Sequence, residues 1–544
     1  MIRKGGPFMD FSQIRHPYPS RRSVTYGRRG MVATSQTLAA QAGLAMLKQG
    51  GNAADAIIAT AIAMTVLEPT SNGLGSDAFA LYWSAKDHQL FGLNGSGWAP
   101  QALTLEAMRE KGVAAMPERG WASVTVPGAV SAWSVLHRRF GRLPFKRLFE
   151  PALSYAEEGY PVQPVTSLLW NRSVQTFAPL KKDEVFAPLF ETFFKNGAPG
   201  PGDLVRLQDH AKTLRLLAES HCESYYRGEI ARAIDDFSKK TGGYLRAEDL
   251  ATYEAEWVTP VSRSYHGFEI CEIPPNGHGI VALMALALAS RLPIKNRAEP
   301  RSVHYAIEAM KRAFVDGMEY ITDPRYMKVD VNDLLSDAYA DRRAQGLTED
   351  AEMPRAIDPD CGGTVYLCAA DGEGNMVSFI QSNFRGFGSG IVIPGYGISF
   401  NDRASSFRLD EKAANVLVPG KKPYHTIIPG FLMKQGEPLG PFGVMGGYMQ
   451  PQGHLQVMMN YIDFGLNEQE ALDAPRWQWM GGKKIEIEPG FGPAVIEDLR
   501  RRGHEVTVKE DFTSFGRGQM IMRQKNGSLA GATEPRADGT VAAW

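Results

Sequence analysis

Apolar positions fall into two periodicities that divide this chain. From Leu38 to Leu47 they recur at helical spacing behind Thr34 or Ser35, either of which can cap, and Gly50-Gly51-Asn52 interrupts them. The next stretch, Ala53 to Leu67, is apolar on every side except at Asp55. It is shorter than the ~20 residues that cross a bilayer, so the pattern predicts a buried helix and, with its predecessor, a helical hairpin in the core. Ser71-Asn72-Gly73-Leu74-Gly75-Ser76-Asp77 is too glycine-rich for a helix and leads into the strand-like run Ala78 to Trp83. Residues 140–330 read as mainly helical, punctuated at Pro199-Gly200-Pro201-Gly202, Pro274-Pro275-Asn276-Gly277 and Asp323-Pro324.

The pattern changes after Pro354. The polar segment from Pro354 to Gly363, rich in Pro and Gly, reads as an exposed linker. Thr364–Ala370, Asp371-Gly372-Glu373-Gly374-Asn375 and Met376–Ser382 then read as strand, turn and strand. With 371–375 as the loop, Ala370 pairs with Met376, and the same antiparallel register sets Thr364 opposite Ser382. A slip of one residue would send Ser382 to the other face. The Met- and aromatic-rich stretch Val457 to Phe464 reads as packed core.

Composition narrows the function classes. The 544 residues are 44% hydrophobic and 22% charged, which places the chain among folded globular proteins rather than disordered ones. Lys and Arg number 59 against 60 Asp and Glu, so no global field attracts polyanions and nucleic acid is not the expected partner. Four cysteines, Cys222, Cys271, Cys361 and Cys368, form no CxxC pair, and HExxH is absent. Neither a disulfide framework nor a metal or other cofactor is expected. The N-terminus is basic but lacks the apolar core of a secretory signal, so a cytoplasmic location without a membrane partner is the expectation.

Gly363-Thr364, at the junction of linker and strand, has a specific chemical possibility. The Thr364 hydroxyl can attack the Gly363 carbonyl and cut the chain, leaving an N-terminal threonine with Oγ as nucleophile and its own α-amine as base. The plainer reading is a β-branched residue opening a strand after a glycine hinge. These residues alone leave both open.

An ordered series of short motifs bears on the choice: Gly50-Gly51-Asn52-Ala53-Ala54-Asp55-Ala56, Asn72-Gly73-Leu74-Gly75, Val126-Pro127-Gly128, Pro274 to Gly279, Glu308 to Phe314 followed by Asp323-Pro324, Gly363-Thr364, Gly374-Asn375, Phe387 to Gly390, Gly446-Gly447 and Asp473 to Arg476. Over nearly its whole length the sequence resembles the γ-glutamyltransferase family of N-terminal-nucleophile hydrolases, in its intracellular, glutathione hydrolase-like branch. The resemblance implies a four-layer αββα sandwich of α/β class, autoproteolysis before Thr364, and a mature enzyme of two tightly paired fragments, 1–363 and 364–544, sharing one core. It puts Thr364 at the nucleophile's position, Ser382 at that of the partner hydroxyl, and Gly446 and Gly447 at the oxyanion-stabilising pair.

The glutamyl-specific positions depart from the family. Ser96 stands where an arginine clamps the α-carboxylate, Phe384 where an asparagine follows the second hydroxyl, Arg403 and Ser406 where Gln and Asp hold the α-amino group, and His425 and Thr426 where paired serines stand. Arg403 is the candidate replacement for the clamp, with Arg385 and His425 behind it, since a carboxylate needs a guanidinium fork. Two enzyme readings share one mechanism, with a small-molecule amide as donor and water or an amine as acceptor: γ-glutamyl hydrolysis or transfer, or hydrolysis of other dicarboxylic acyl amides such as glutaryl compounds. A non-enzymatic reading takes Arg385-Gly386-Phe387-Gly388-Ser389-Gly390 as the nucleotide-cradling loop of an unprocessed binding module, although the Lys-Ser/Thr ending of a phosphate loop is missing. His278, in a loop, is a further catalytic candidate that an α-amine mechanism does not need.

Overall fold

The strand–turn–strand unit after the linker is the centre of the molecule. The computed structural model describes residues 22–354 and 363–544; Cys361 and most of the linker lie outside the described residues. Asp371 fixes the turn: its Oδ1 accepts the N–H groups of Glu373 (2.9 Å) and Asn375 (3.0 Å), and Gly374 takes a left-handed φ of 93°. Ala370 therefore pairs with Met376, as the count predicts, and five further pairs continue the register to Val365 and Gln381.

Seven strands form the first sheet, in the order Thr540–Ala543, β1 (Gly30–Thr34), β3 (Gly363–Asp371), β4 (Met376–Phe384), β2 (Asp77–Ser84), Gln89–Gly95 and Glu256–Val258. A second seven-stranded sheet runs Thr25–Gly27, Leu529–Thr533, Arg517–Arg523, β5 (Glu437–Met445), Gly430–Lys434, Phe268–Glu272 and Val261–Tyr265. The sheets face each other through β3 and β5. Tyr366 packs on Gly443, where a Cβ would lie 2.3 Å from the ring, and its hydroxyl meets Ser378 Oγ at 2.7 Å.

Helices cover both outer faces. On the first sheet lie α1 (Thr37–Lys48) and α2 (Ala53–Leu67), the predicted hairpin, with all fifteen residues of α2 buried. Asn52 and Asp55 form a reciprocal capping box at its start, and Asp371 Oδ2 accepts the Ala53 N–H at 3.0 Å, tying the helix to the β3–β4 turn. On the second sheet lie α3 (Gly279–Ala289), with α4 (Pro300–Tyr320) packed on it, and α5 (Met449–Ile462), which holds the buried Val457, Met458 and Met459. The result is the expected αββα sandwich.

Two local expectations need correction and one, the mainly helical region, needs an addition. Thr34 ends a strand and Ser35 Oγ is taken by Glu68 Oε2 (2.7 Å), so α1 starts behind Gln36. The region read as mainly helical contains the strands at 256–272, whose short lengths give weak periodicity. The run from Arg385 to Gly390 is a turn, with Phe387 buried against Trp170, Phe193 and Phe194, so its backbone serves the core and not a phosphate.

Candidate active site

Side chains alternate along β4. Gln381 points to the helical face, bonding Trp133 Nε1 (3.0 Å) and Asn72 Oδ1 (2.7 Å), so Ser378 and Ser382 point between the sheets. At the start of β3 the ladder slips: Gly363 pairs with Phe384, whereas Val365 pairs with Gln381. This bulge brings Thr364 Oγ1 to 2.9 Å from Ser382 Oγ, both fully buried. Ser382 Oγ also accepts the Phe384 N–H at 2.8 Å, made possible by the positive φ of Phe384 (82°), and an Arg403 Nη2 hydrogen at 2.9 Å. A hydroxyl has two acceptor lone pairs and one hydrogen. Either hydroxyl can donate in the bond between Ser382 and Thr364, which couples the Thr364 oxygen through Ser382 to the Arg403 guanidinium.

Arg403 opens a short helical turn, Arg403–Ser406, and is wholly buried. Besides Ser382 it donates to Thr426 Oγ1 at 2.6 Å, and its Nε lies 3.7 Å from Asp77 Oδ2. The Phe384 ring contacts its guanidinium at 4.4 Å. Asp77 also meets His425 Nε2 at 3.1 Å. His425 Nδ1 accepts the Ile427 N–H (3.4 Å), so Nε2 carries the hydrogen and donates to Asp77. Burial, then the Arg403 charge, holds His425 well below the usual histidine range, as the neutral ring. Burial raises Asp77 to about 7 against the pull of Arg403, and lowers Arg403 to about 10 against that of Asp77.

Beyond β5, Gly446 (φ 141°) and Gly447 (φ 60°) turn the chain into α5. The turn's bonds use the glycine carbonyls, from Met449 N–H (3.0 Å) and Gln450 N–H (3.2 Å), and leave both glycine N–H groups uncommitted among the described residues. Such N–H groups can meet a developing oxyanion.

The model of the gamma-glutamyltranspeptidase family matches residues 39–544. The chain belongs to this family. A cephalosporin acylase structure from Bacillus halodurans shares 55% identity and superposes with a TM-score of 0.95 over 98% of this chain and 99% of that one. A glutathione hydrolase-like YwrD proenzyme of Bacillus subtilis is 32% identical over 95% of this chain and 98% of its own length. An oxamate amidohydrolase proenzyme of Klebsiella pneumoniae is 34% identical over 96% of this chain and 100% of its own. The protein is thus an enzyme of the N-terminal-nucleophile hydrolase type.

Among the family positions read from sequence, Thr364, Ser382, Phe384, Arg403, His425 and Thr426 converge on one buried cluster. Ser96 is one step removed: its hydroxyl bonds Asn94 Oδ1 (2.7 Å), while the adjacent Gly97 N–H reaches Asp77 Oδ1 (3.3 Å). Ser406 Oγ is buried without a hydrogen-bond partner, and its carbonyl holds Asn415. Arg403 pairs with Asp77, while Asp402 is held by Arg385 (3.1 Å) and Arg119 (3.2 Å). Asp77 is the residue sequence reading passed over; an acid closing a glycine-rich loop just before an apolar strand is the signal for it. His278 precedes α3 with Nδ1 on the Tyr424 hydroxyl (3.0 Å), and burial lowers it to about 3. Elsewhere His304, Glu308 and His504 cluster within 4.8 Å, but Lys311 Nζ, 2.7 Å from Glu308 and 3.4 Å from His504, already supplies the cation there. No helix among the described residues is long and apolar enough to cross a membrane.

Proposed function

We propose that the chain cuts itself before Thr364 and that Thr364 then hydrolyses or transfers the acyl group of small amides whose acyl half ends in a carboxylate. In the cut, Thr364 Oγ attacks the Gly363 carbonyl and the acyl group shifts from nitrogen to oxygen. Water then hydrolyses the ester, leaving a Gly363 carboxylate and a free Thr364 amine. In turnover Oγ attacks the substrate carbonyl, its proton passes through the α-amine to the leaving amine, and the carbon–nitrogen bond breaks. Water or an acceptor amine opens the resulting ester, giving up its proton to the same α-amine. Ser382 supports Oγ by its hydrogen bond, and the Gly446 and Gly447 N–H groups receive the oxyanion.

The observation that carries this reading is the bonded series Thr364–Ser382–Arg403. It joins a candidate nucleophile to a buried guanidinium within two hydrogen bonds of 2.9 Å each. The guanidinium fork suits a substrate carboxylate. γ-Glutamyl amides of the glutathione kind fit this chemistry, in keeping with the glutathione hydrolase-like relative. A second reading, amides of dicarboxylic acids without an α-amino group, has its own support. Asp77 is engaged by Arg403 and His425 and Asp402 by two arginines, so neither carboxylate of the cluster is open to an ammonium group. The acylase and oxamate amidohydrolase relatives agree with that reading. Cys222, Cys271 and Cys368 are buried free thiols, which supports a reducing, cytoplasmic setting.

Gel electrophoresis and N-terminal sequencing test the cut. The 59.8 kDa chain should give fragments of roughly 40 and 20 kDa by length, the smaller beginning Thr-Val-Tyr. A continuous chain that turns over amides would overturn the proposal. Rates on γ-glutamyl and glutaryl anilides separate the two substrate readings.

A further inference from the structure

Strand β5 outruns its neighbour on one side. Gly430–Lys434 pairs with it only as far as Phe442, while Arg517–Arg523 continues opposite Val444 and Met445. Past Phe442 the buried backbone on the open side needs other partners. For the Val444 N–H that partner is a side chain, His454 Nε2, 3.1 Å away, and both residues are fully buried. His454 stands in α5, so this one bond closes a loop around the Gly446-Gly447 turn, from the strand before it to the helix after it. Gly453 lets the helix approach so closely: a Cβ there would lie 2.6 Å from Val444 Cγ1.

The hydrogen on the ring is fixed by the same bond. Because Nε2 accepts an N–H it carries no hydrogen, and a ring with its hydrogen on Nδ1 alone is neutral. Nδ1 donates to Glu272 Oε1 at 2.6 Å, which sets both the tautomer and the ring's angle. Glu272 ends the strand Phe268–Glu272 and lies in one row across the sheet with Gly430 and Phe442. Gly430 leaves room within that row for the Phe442 ring, which a Cβ would meet at 2.6 Å, and that ring packs 5.0 Å from the His454 ring. The second oxygen of Glu272, Oε2, has no hydrogen-bond partner among the described residues, so this buried carboxyl group serves His454 and no other side chain.

We infer that His454 is a positioning residue for the oxyanion turn, with Glu272 holding it in the accepting tautomer. The inference rests on the reading that the Gly446 and Gly447 N–H groups receive the oxyanion. Two consecutive glycines have no side chains to anchor them and the freest backbone of any residue, so their direction is imposed by whatever holds the two ends of the turn. Donors of this kind work only when aimed at the oxygen of the transition state, so a loosened turn costs turnover rather than substrate binding.

The test compares His454→Phe, which keeps an aromatic ring and loses both hydrogen bonds, with His454→Gln, whose Oε1 can still accept the Val444 N–H. For a glutaryl anilide, with rates taken per processed chain, kcat should fall about 10–10²-fold in His454→Phe and by less than about threefold in His454→Gln, while KM changes less than about twofold in either. Glu272→Leu should match His454→Phe and guards against misfolding, since beside a neutral ring it strands no charge. A second readout separates aim from general loosening. With 4-boronobutanoate, Thr364 Oγ adds to boron and gives a tetrahedral adduct with an oxygen in the oxyanion site, whereas glutarate brings the same carboxylate without an adduct. In His454→Phe, inhibition by the boronate should weaken by the factor lost from kcat, and inhibition by glutarate should stay the same. Full kcat in both His454→Phe and Glu272→Leu, a glutamine variant as slow as the phenylalanine one, or equal weakening of the two inhibitors overturns the inference. Gly446→Ala measured alongside tests the reading beneath it: unchanged kcat and boronate inhibition there sink the oxyanion site, whereas a slowed Gly446→Ala beside a full-rate His454→Phe sinks the inference alone.

Discussion

Asp77 and Ser382 lie directly opposite each other in the ladder between β2 and β4, and the single guanidinium of Arg403 reaches both. Opposed residues project from the same face of a sheet. The acid that neutralises Arg403 and the hydroxyl that Arg403 orients are therefore set by one backbone register. That places a positive charge one hydroxyl away from Thr364 Oγ1 without exposing it to water.

Thr364→Ala should abolish both the cut and turnover, whereas Thr364→Ser should retain some of each. Incubation of the purified variants followed by gel electrophoresis and an anilide assay reads both. Fragments from Thr364→Ala would sink the proposed nucleophile.

Ser382→Ala removes the hydroxyl bonded to Thr364 Oγ1. By analogy with the loss of one oxyanion donor, kcat should fall about 10²–10³ with KM changed far less. A change confined to KM would move Ser382 from the chemistry to substrate binding.

Arg403→Lys keeps the charge but loses the fork, so KM for a carboxylate-ended donor should rise by at least about tenfold. Arg403→Gln leaves Asp77 buried without its cation, costing about 3–5 kcal/mol by denaturant unfolding. Adding Asp77→Asn to Arg403→Gln should restore part of that loss. Simple additivity of the two substitutions would refute the pairing.

Asp77 gives a pH signature. Burial raises it from 3.8 to about 7, so the folded chain keeps a proton that the unfolded chain has released. The contribution of this group to stability is therefore greatest below the ordinary carboxylate value, declines as pH rises between 3.8 and about 7, and is level above. The slope for one proton reaches about 1.4 kcal/mol per pH unit. Asp77→Asn should flatten the stability profile in that window, and identical profile shapes for the two proteins would contradict the assignment.

Gly446→Ala should lower thermal stability and slow acylation together. At φ 141° an L side chain is strained, and a Cβ there would stand 3.1 Å from Gly516 Cα. An alanine variant with full activity would remove this turn from the oxyanion site.

The hairpin was legible in the sequence because a five-residue glycine turn and alternating apolar positions fix a register by counting, and that register holds as far as Val365 and Gln381; the last step, from Thr364 to Ser382, is made by a bulge that counting did not show. The all-apolar α2 was legible for the same local reason. Arg403 was found by its departure from the family pattern, but its partner was not, since nothing local links it to an acid on a strand more than three hundred residues earlier. The start of α1 was misplaced because Ser35, a good cap by type, spends its hydroxyl on Glu68 instead. The strands at 256–272 were missed because each is at most five residues long, too short for a period of two to stand out.

In the first sheet β3 and β4, which follow the proposed cleavage point, lie between β1 and β2, which precede it, and the last strand of the chain closes the outer side of β1. A scission ahead of Thr364 would sever the covalent thread yet leave every rung of that sheet intact except the one between Gly363 and Phe384. The two pieces would melt in a single cooperative step and would not exchange partners in a mixing experiment, because neither can leave without stripping the other of its neighbours on both sides.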